Sequence, residues 1–375
     1  MKQQLTSDEI LRIGKSLIGR FEIPISNKKH KHFPSFLSTS LNDFVSFFKT
    51  NLNEEIESKT NWKDGISNVL LPKIEGLTKG ILDSVYLYYD GEVHEATKNF
   101  FETLDRYFIP YNQTIVKIDK EFIFYRARIG ELKNPTKANI FHVPFEQRHK
   151  ISTKRYSISG FPALYLCGST YVCWEEFDRQ DFRKMWVSGF KNNKELSVIK
   201  LQRVDDFITD LTERDLPFMH MNLMRYLITF PLTIACLIKT EHMDAHFKPE
   251  YIIPQLLLQY VKSKSRIDGI MYPSTKIDYT NYIKVDVYNY IFPVKSTKET
   301  GYCNSLISTF SLTNPTTLEN EELLTDPAYY HAMNYNEDEL ASPILEVSKG
   351  HGNVYVLTAF GKLEKIIKEK PFKKL

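Results

Sequence analysis

The sequence predicts an α+β protein, with a helical N-terminal domain followed by a mixed α/β domain. Three observations predict it. Apolar residues recur at a helical period through about the first 115 positions. Beyond a proline-centred break, the pattern changes to short β-rich runs separated by helices. The chain has 375 residues, enough for two hydrophobic cores of ordinary size.

The first helix opens at Thr6, with Glu9 three residues on, which is capping-box spacing, and Ile10, Leu11, Ile13, Leu17 and Ile18 continue on a 3.6-residue period. Further helical patterns run through Leu41 to Phe48, Val69 to Tyr89 and Val93 to Ile109. The run "FIPYNQ" with Pro110 then ends the helical grammar. Strands are expected at "KEFIFYRARI", "PALYLCG", "LSVIKLQRV" and "YIKVDVYNYIFPV". Between them lie helix candidates at Thr170 to Asp178, Met219 to Leu227 and Pro254 to Lys262, the last with a proline suited to a first turn. The expected division is residues 1–115 and 116–375.

Apolar residues make up 42% and charged residues 25%, which places the chain among soluble globular proteins and away from disordered or collagenous ones. A formal charge of +3 does not indicate nucleic acid or a membrane surface as a partner. The basic C-terminal stretch "GKLEKIIKEKPFKKL" reads as a solvated end. Cys167, Cys173, Cys236 and Cys303 show neither CxxC pairs nor disulfide density, so a reduced cytoplasmic setting is expected. The polar start "MKQQLTSDEILRIG" lacks the apolar segment of a signal peptide, and the longest apolar run, Tyr226 to Ile238, is too short to span a bilayer.

Four groups of residues are candidates for chemistry. On the helix beginning near Thr170, positions 172, 173 and 176 share one face and 171, 174, 175 and 178 another. Glu176 thus lies with Val172 and Cys173, and Glu175 with Tyr171, Trp174 and Asp178. Spacing alone leaves two readings open: a carboxylate held at an interior face, or two solvated glutamates on an amphipathic helix. In "FYRARIG", Arg126 and Arg128 project to one side of a strand, where two guanidinium forks suit a phosphate-bearing ligand. The competing reading is a pair of ion-pairing residues on an edge strand. In "RIDGIMYPST", Ser274 ends a short strand, where a hydroxyl can meet a ligand or simply complete a turn. Arg214 and His220 in "RDLPFMH" have a spacing used by some helical ribonucleases, with Pro217 arguing against a regular helix there. No metal site is expected: His242 and His246 have i, i+4 spacing, but Met243 occupies the glutamate position of HExxH. Glycine-rich phosphate loops are absent.

The pieces "FYRAR", "FHVPFEQR", "RYSISGFPALYLCGSTYVCWEE", "EYIIPQLL" and "DGIMYPS" together resemble, in order, the RES domain, a family related to ADP-ribosyltransferases. The resemblance runs from about Phe122 to Pro293. It implies an ADP-ribosyltransferase-like fold that binds NAD+ as a consumed substrate, uses no cofactor and breaks the nicotinamide–ribose bond. It implies Glu176, Arg126 and Ser274 as catalytic residues, Glu176 being chosen over Glu175 by its spacing from Tyr165. Arg128, Arg155, Tyr156, Tyr165 and Ser169 are implied to bind NAD+. The family has an active-site tyrosine for which Phe141 and Phe145 stand here as loose counterparts, and Arg155-Tyr156 replaces an Arg-Trp pair. The implied setting is a bacterial toxin or anti-phage effector, with an antitoxin or immunity protein and self-assembly as partners. The N-terminal extension resembles the HEPN type. Residues 1–115 contain no arginine followed four to seven residues later by histidine, so regulation or assembly is expected of them. The alternatives are a helical ribonuclease with a regulatory second domain and a non-catalytic nucleotide-binding scaffold.

Overall fold

The structure, a computed structural model, describes residues 5–27, 32–59, 70–108, 115–130, 134–279, 285–324, 335–348 and 350–375. The expected break at 109–113 lies outside them. In chain order the elements are α1 (Ser7–Lys15), α2 (Phe33–Phe47), α3 (Asn53–Lys59), α4 (Leu70–Tyr89), α5 (Val93–Tyr107), β1 (Ile115–Ile118), β2 (Ile123–Arg128), α6 (Lys137–Ile140) and β3 (Ala163–Cys167). There follow α7 (Thr170–Glu176), β4 (Trp186–Asn192), β5 (Leu196–Lys200), α8 (Val204–Thr212), α9 (Leu216–Cys236), α10 (Ile252–Ser263), β6 (Gly269–Pro273) and β7 (Tyr288–Pro293). The chain closes with α11 (Asn304–Thr309), β8 (Phe310–Leu312), α12 (Leu318–Leu324), α13 (Glu337–Leu340), β9 (Ile344–Ser348), β10 (His351–Val354) and α14 (Ala359–Glu369). The fold is α+β.

The chain divides into two compact units. One comprises residues 1–116, 154–156 and 199–260; the other comprises 117–153, 157–198 and 261–375. The helical unit thus takes in α8 and α9 in addition to the N-terminal helices.

Within the helical unit, Thr6 caps α1 with the expected reciprocal bonds to Glu9. The α1 face bearing Ile10 and Ile13 is buried, and Gly14 on the same helix abuts Ile208 of α8. Phe21 sits edge-on to Phe44, Phe47 and Phe230, an arrangement that satisfies the ring quadrupoles while burying large apolar areas. Pro217 does not break α9. It lies in the helix's first turn, where its missing N–H has no intrahelical acceptor to lose, so the helix runs from Leu216 and continues past Pro231 to Cys236. No described helix is long and apolar enough to cross a membrane.

Helices α4 and α5 approach closely because Gly80 has no side chain: a Cβ there would lie 2.1 Å from Thr103 Oγ1 on α5. In an open helix, Gly→Ala stabilises by about 1 kcal/mol. Here the clash dominates, so Gly80→Ala is expected to destabilise this unit by about 1–3 kcal/mol in chemical denaturation. Adding Thr103→Ala should recover part of the loss.

The second unit is organised on a sheet of strand order β1-β5-β6-β7-β3-β2-β4-β8, whose strands β6 to β8 lie wholly within it. The β6–β7, β7–β3, β3–β2, β2–β4 and β4–β8 pairs are antiparallel. Strand β2 pairs with β4 over six residues but meets β3 at Tyr125↔Cys167 alone, so the sheet is splayed between β2 and β3. On one face, Tyr125, Ala127, Cys173, Val187, Leu363 and Ile367 form a core. The basic C-terminal stretch is therefore not a solvated end. It forms α14, which buries Phe360, Leu363, Ile366 and Ile367 and turns its lysines outward.

Candidate functional site

Strand β3 ends at Cys167, and the chain turns at Gly168 into α7. A Cβ on Gly168 would lie 2.1 Å from the Asp286 carboxyl carbon, so glycine is what allows the turn to approach the segment entering β7. Asp286 fixes that segment by accepting from the Tyr288 N–H at 2.9 Å and the Tyr290 hydroxyl at 3.1 Å. Ser169 caps α7, accepting from Val172 N, and its hydroxyl donates to the Asp286 carbonyl at 2.7 Å. Ser169 is thereby engaged in holding the turn. The buried Glu364 of α14 accepts from Thr170 N and Oγ1 and from the Tyr355 hydroxyl, which locks α7 in place, and burial raises its carboxyl pKa.

At the other end of α7 the two carboxylates separate. Glu175 is buried and makes a bidentate ion pair with Arg179 at 3.1 and 2.9 Å, while Arg179 lies over the Trp174 ring. Glu176 is half-buried, and two side chains hold its Oε1: Ser274 Oγ donates at 2.7 Å and Asn289 Nδ2 at 2.6 Å. Helical geometry sends these neighbours in different directions, about 100° apart. The solvated-pair reading fails for both, since Glu175 has a buried counter-ion and Glu176 two fixed donors.

Ser274 and Asn289 are themselves constrained. Ser274 is fully buried directly after β6, and its oxygen accepts from Lys276 N, which aims the hydroxyl hydrogen at Glu176. Lys276 Nζ donates to the Glu176 carbonyl at 2.7 Å and pairs with Asp178 at 2.8 Å, tying the loop after β6 to the end of α7. Asn289 lies opposite Cys167 and Tyr272 in the sheet, and its Oδ1 accepts from Cys167 Sγ. Sequence reading missed Asn289 and Lys276. Strand parity through "VYNYIF" marks Asn289 as a lone amide in an apolar strand, a signal that it has a partner to meet.

Strand β2 is interior, flanked by β3 and β4, so the edge-strand reading of its arginines does not hold. Arg126 Nη1 donates to the Tyr165 carbonyl across the splay, and Arg128 Nη2 donates to the Phe141 carbonyl. Neither has a carboxylate partner among the described residues, and the buried Nε atom of each is without a hydrogen bond. Burial, with the like charge of Arg128 adding, pulls the Arg126 guanidinium down to about 9, and burial lowers Arg128 as well. Two desolvated guanidiniums without a counter-ion form an anion-seeking site. Arg126 and Glu176 both act on the Cys167 thiol. A hydrogen bond with Cys173 and burial hold that thiol well above its ordinary pKa; Glu176 adds to the shift and Arg126 opposes it.

Tyr165 donates its hydroxyl to Ser157 at 2.9 Å. Phe141 and Phe145 are buried around His142, so the rings lie in the core. Arg155 and Tyr156 belong to the helical unit. There Arg155 is buried, donates to the Cys236 carbonyl and Thr240 Oγ1, and lies over the Tyr251 ring. Tyr156 is fully buried, which leaves its ring no face for a ligand in this state. Of the ribonuclease-type pair, Arg214 is exposed beside a cavity whereas His220 is buried, with its pKa lowered by that burial. His242 and His246 lie in irregular backbone outside any helix, and no group of three or more metal-ligating side chains occurs among the described residues.

His142 provides a pH test of this unit. Its Nε2 accepts from Cys303 N at 2.9 Å and its Nδ1 contacts the Val143 carbonyl at 2.8 Å, an arrangement that fits the neutral ring. Burial, with Arg126 contributing, lowers its pKa from 6.5 to about 4. The unfolded chain therefore binds the proton first. The stability from neutral His142 is present above pH 6.5 and is lost as pH falls towards 4, by on the order of 2–3 kcal/mol. Urea midpoints at about pH 7 and pH 5 should fall more for the wild type than for His142→Gln, whose carbonyl accepts without titrating.

Comparison with known proteins gives one informative relative. The chain is 30% identical over 374 residues to a Bacillus subtilis (strain 168) protein named "Putative toxin YopC", an alignment spanning 95% of this chain and 80% of that protein. No protein-family profile and no solved structure matches. With the alignment spanning nearly the whole chain, the chain belongs to the YopC family.

Proposed function

We propose that this protein is an NAD+-consuming toxin that cleaves the nicotinamide–ribose bond in the cytoplasm, either degrading NAD+ or passing ADP-ribose to a target. The observation that carries the reading is the pairing in one unit of an oriented carboxylate, Glu176, with two half-buried arginines that have no carboxylate partner among the described residues. The resemblance of these segments to the RES domain supports it, as does the toxin name borne by the relative.

In this reading the nicotinamide leaves with the electron pair of the C–N bond, and positive charge develops on the ribose. Glu176 stabilises that charge, its Oε1 being pinned by Ser274 and Asn289 so that the carboxylate needs no reorganisation. Water or a target nucleophile then bonds to the ribose carbon and loses a proton. Arg126 and Arg128 neutralise the pyrophosphate. Ser274 is a positioning residue for Glu176, Ser169 and Tyr165 shape the walls, and the helical N-terminal region regulates or assembles the enzyme. A dedicated antitoxin or immunity protein would restrain it.

Cellular NAD+ measured after brief induction tests the reading. Glu176→Gln is expected to slow NAD+ loss by at least about a hundredfold, the effect of removing one stabiliser of transition-state charge. Glu175→Gln should retain most activity, because its carboxylate serves Arg179. Undiminished NAD+ in wild-type cells, or degraded RNA in its place, would overturn the proposal.

A further inference from the structure

The helical unit contains a basic cavity of about 100 Å³. It lies where α8 and α9 meet the end of β5. Strand β5 supplies Lys200, α8 supplies Phe207 and Asp210, and α9 presents Asn222, Arg225 and Thr229 on one face, as their i, i+3, i+7 spacing requires. Arg214, just ahead of α9, completes the rim.

The charges at this cavity do not balance. Asp210 is satisfied by Lys200 Nζ and Gln202 Nε2, both at 2.7 Å, so its charge is taken. Arg225 and Arg214 have no carboxylate or carbonyl partner for their guanidiniums among the described residues, and the Asn222 amide is likewise uncommitted. Arg225 is half-buried, and desolvation lowers its pKa with no neighbouring charge to offset the cost. Surface arginines without partners are ordinary. Two that converge on one concavity with an amide between them on the helix, beside a Lys–Asp pair that cancels itself, are a net positive pocket with directional donors.

We infer that this cavity binds a small phosphate-bearing anion, of the pyrophosphate or nucleotide-polyphosphate class, through the guanidinium forks of Arg214 and Arg225. Arginine forks match the spacing of phosphate oxygens, and Asn222 adds a neutral donor. The cavity is distinct in residues from the Glu176 site and does not depend on what that site does. The cavity lies in the unit that also contains the N-terminal helices proposed to regulate the enzyme, so the site is fitted to sense a nucleotide-like signal.

The test is calorimetric titration of the full chain with inorganic pyrophosphate in about 50 mM salt, where screening is modest. Saturable binding is expected, weakened about tenfold or more by Arg225→Gln and by Arg214→Gln, with each variant's fold checked by circular dichroism. Arg225→Lys should restore only part of the affinity, since a point charge replaces a fork. Glu176→Gln should bind like the wild type. Absence of saturable binding up to about 10 mM overturns the inference. Because Arg126 and Arg128 can also hold pyrophosphate, the Arg214 and Arg225 substitutions are compared in an Arg126→Gln background; there, absence of binding with Arg214 and Arg225 intact, or binding that survives both glutamine substitutions, overturns it as well. An arginine-dependent affinity for a single-stranded oligonucleotide without affinity for pyrophosphate would also overturn it, giving the cavity to nucleic acid.

Discussion

The candidate site depends on the absence of a side chain at Gly168. There the turn between β3 and α7 packs against the Asp286 carboxyl, and that contact sets the height at which α7 starts relative to β7. Ser169 reinforces it by donating to the Asp286 backbone, and Asp286 holds the entry to β7 through Tyr288 and Tyr290. Two turns of helix later, the same registration brings Glu176 within hydrogen-bond distance of Asn289 on β7 and of Ser274 at the end of β6. A carboxylate gripped by two donors on one oxygen is oriented, which is the property electrostatic catalysis needs.

The adjacent carboxylates show how burial and role can diverge. Glu175 is the more buried of the two, yet its charge is neutralised by Arg179, so it serves the helix. Glu176 is less buried, with Ser274 and Asn289 as its donors. The cost of desolvating a carboxylate is offset in the first case by an ion pair and in the second by two neutral donors. Arg126 and Arg128 carry the complementary cost, being desolvated cations without a counter-ion among the described residues.

Both units therefore contain guanidiniums that no described residue compensates. In the sheet-based unit they lie on β2, where the strand parts from β3. In the helical unit they lie just ahead of α9 and midway along it. Packing energetics do not favour such arrangements, because unpaired, partly buried cations reduce stability. Their presence beside concave or splayed features is what a binding function predicts.

The sequence by itself determined the α+β class, the capping box of α1, the strands β2, β3 and β6, the helices α5, α7 and α10, and the facial separation of Glu175 from Glu176. These are consequences of short-range periodicity and capping, which act within a few residues. It also placed Arg126 and Arg128 on one side of a strand, but whether that strand was an edge or an interior one depended on pairing with residues far along the chain. Only tertiary structure decided that β2 is interior, that the lysine-rich C-terminal stretch is a core helix, that Pro217 begins α9, and that α8 and α9 join the N-terminal helices. The grip on Glu176 was equally hidden. Ser274 and Asn289 stand 98 and 113 residues from it, and no local pattern specifies which distant donors a carboxylate will meet when a sheet closes.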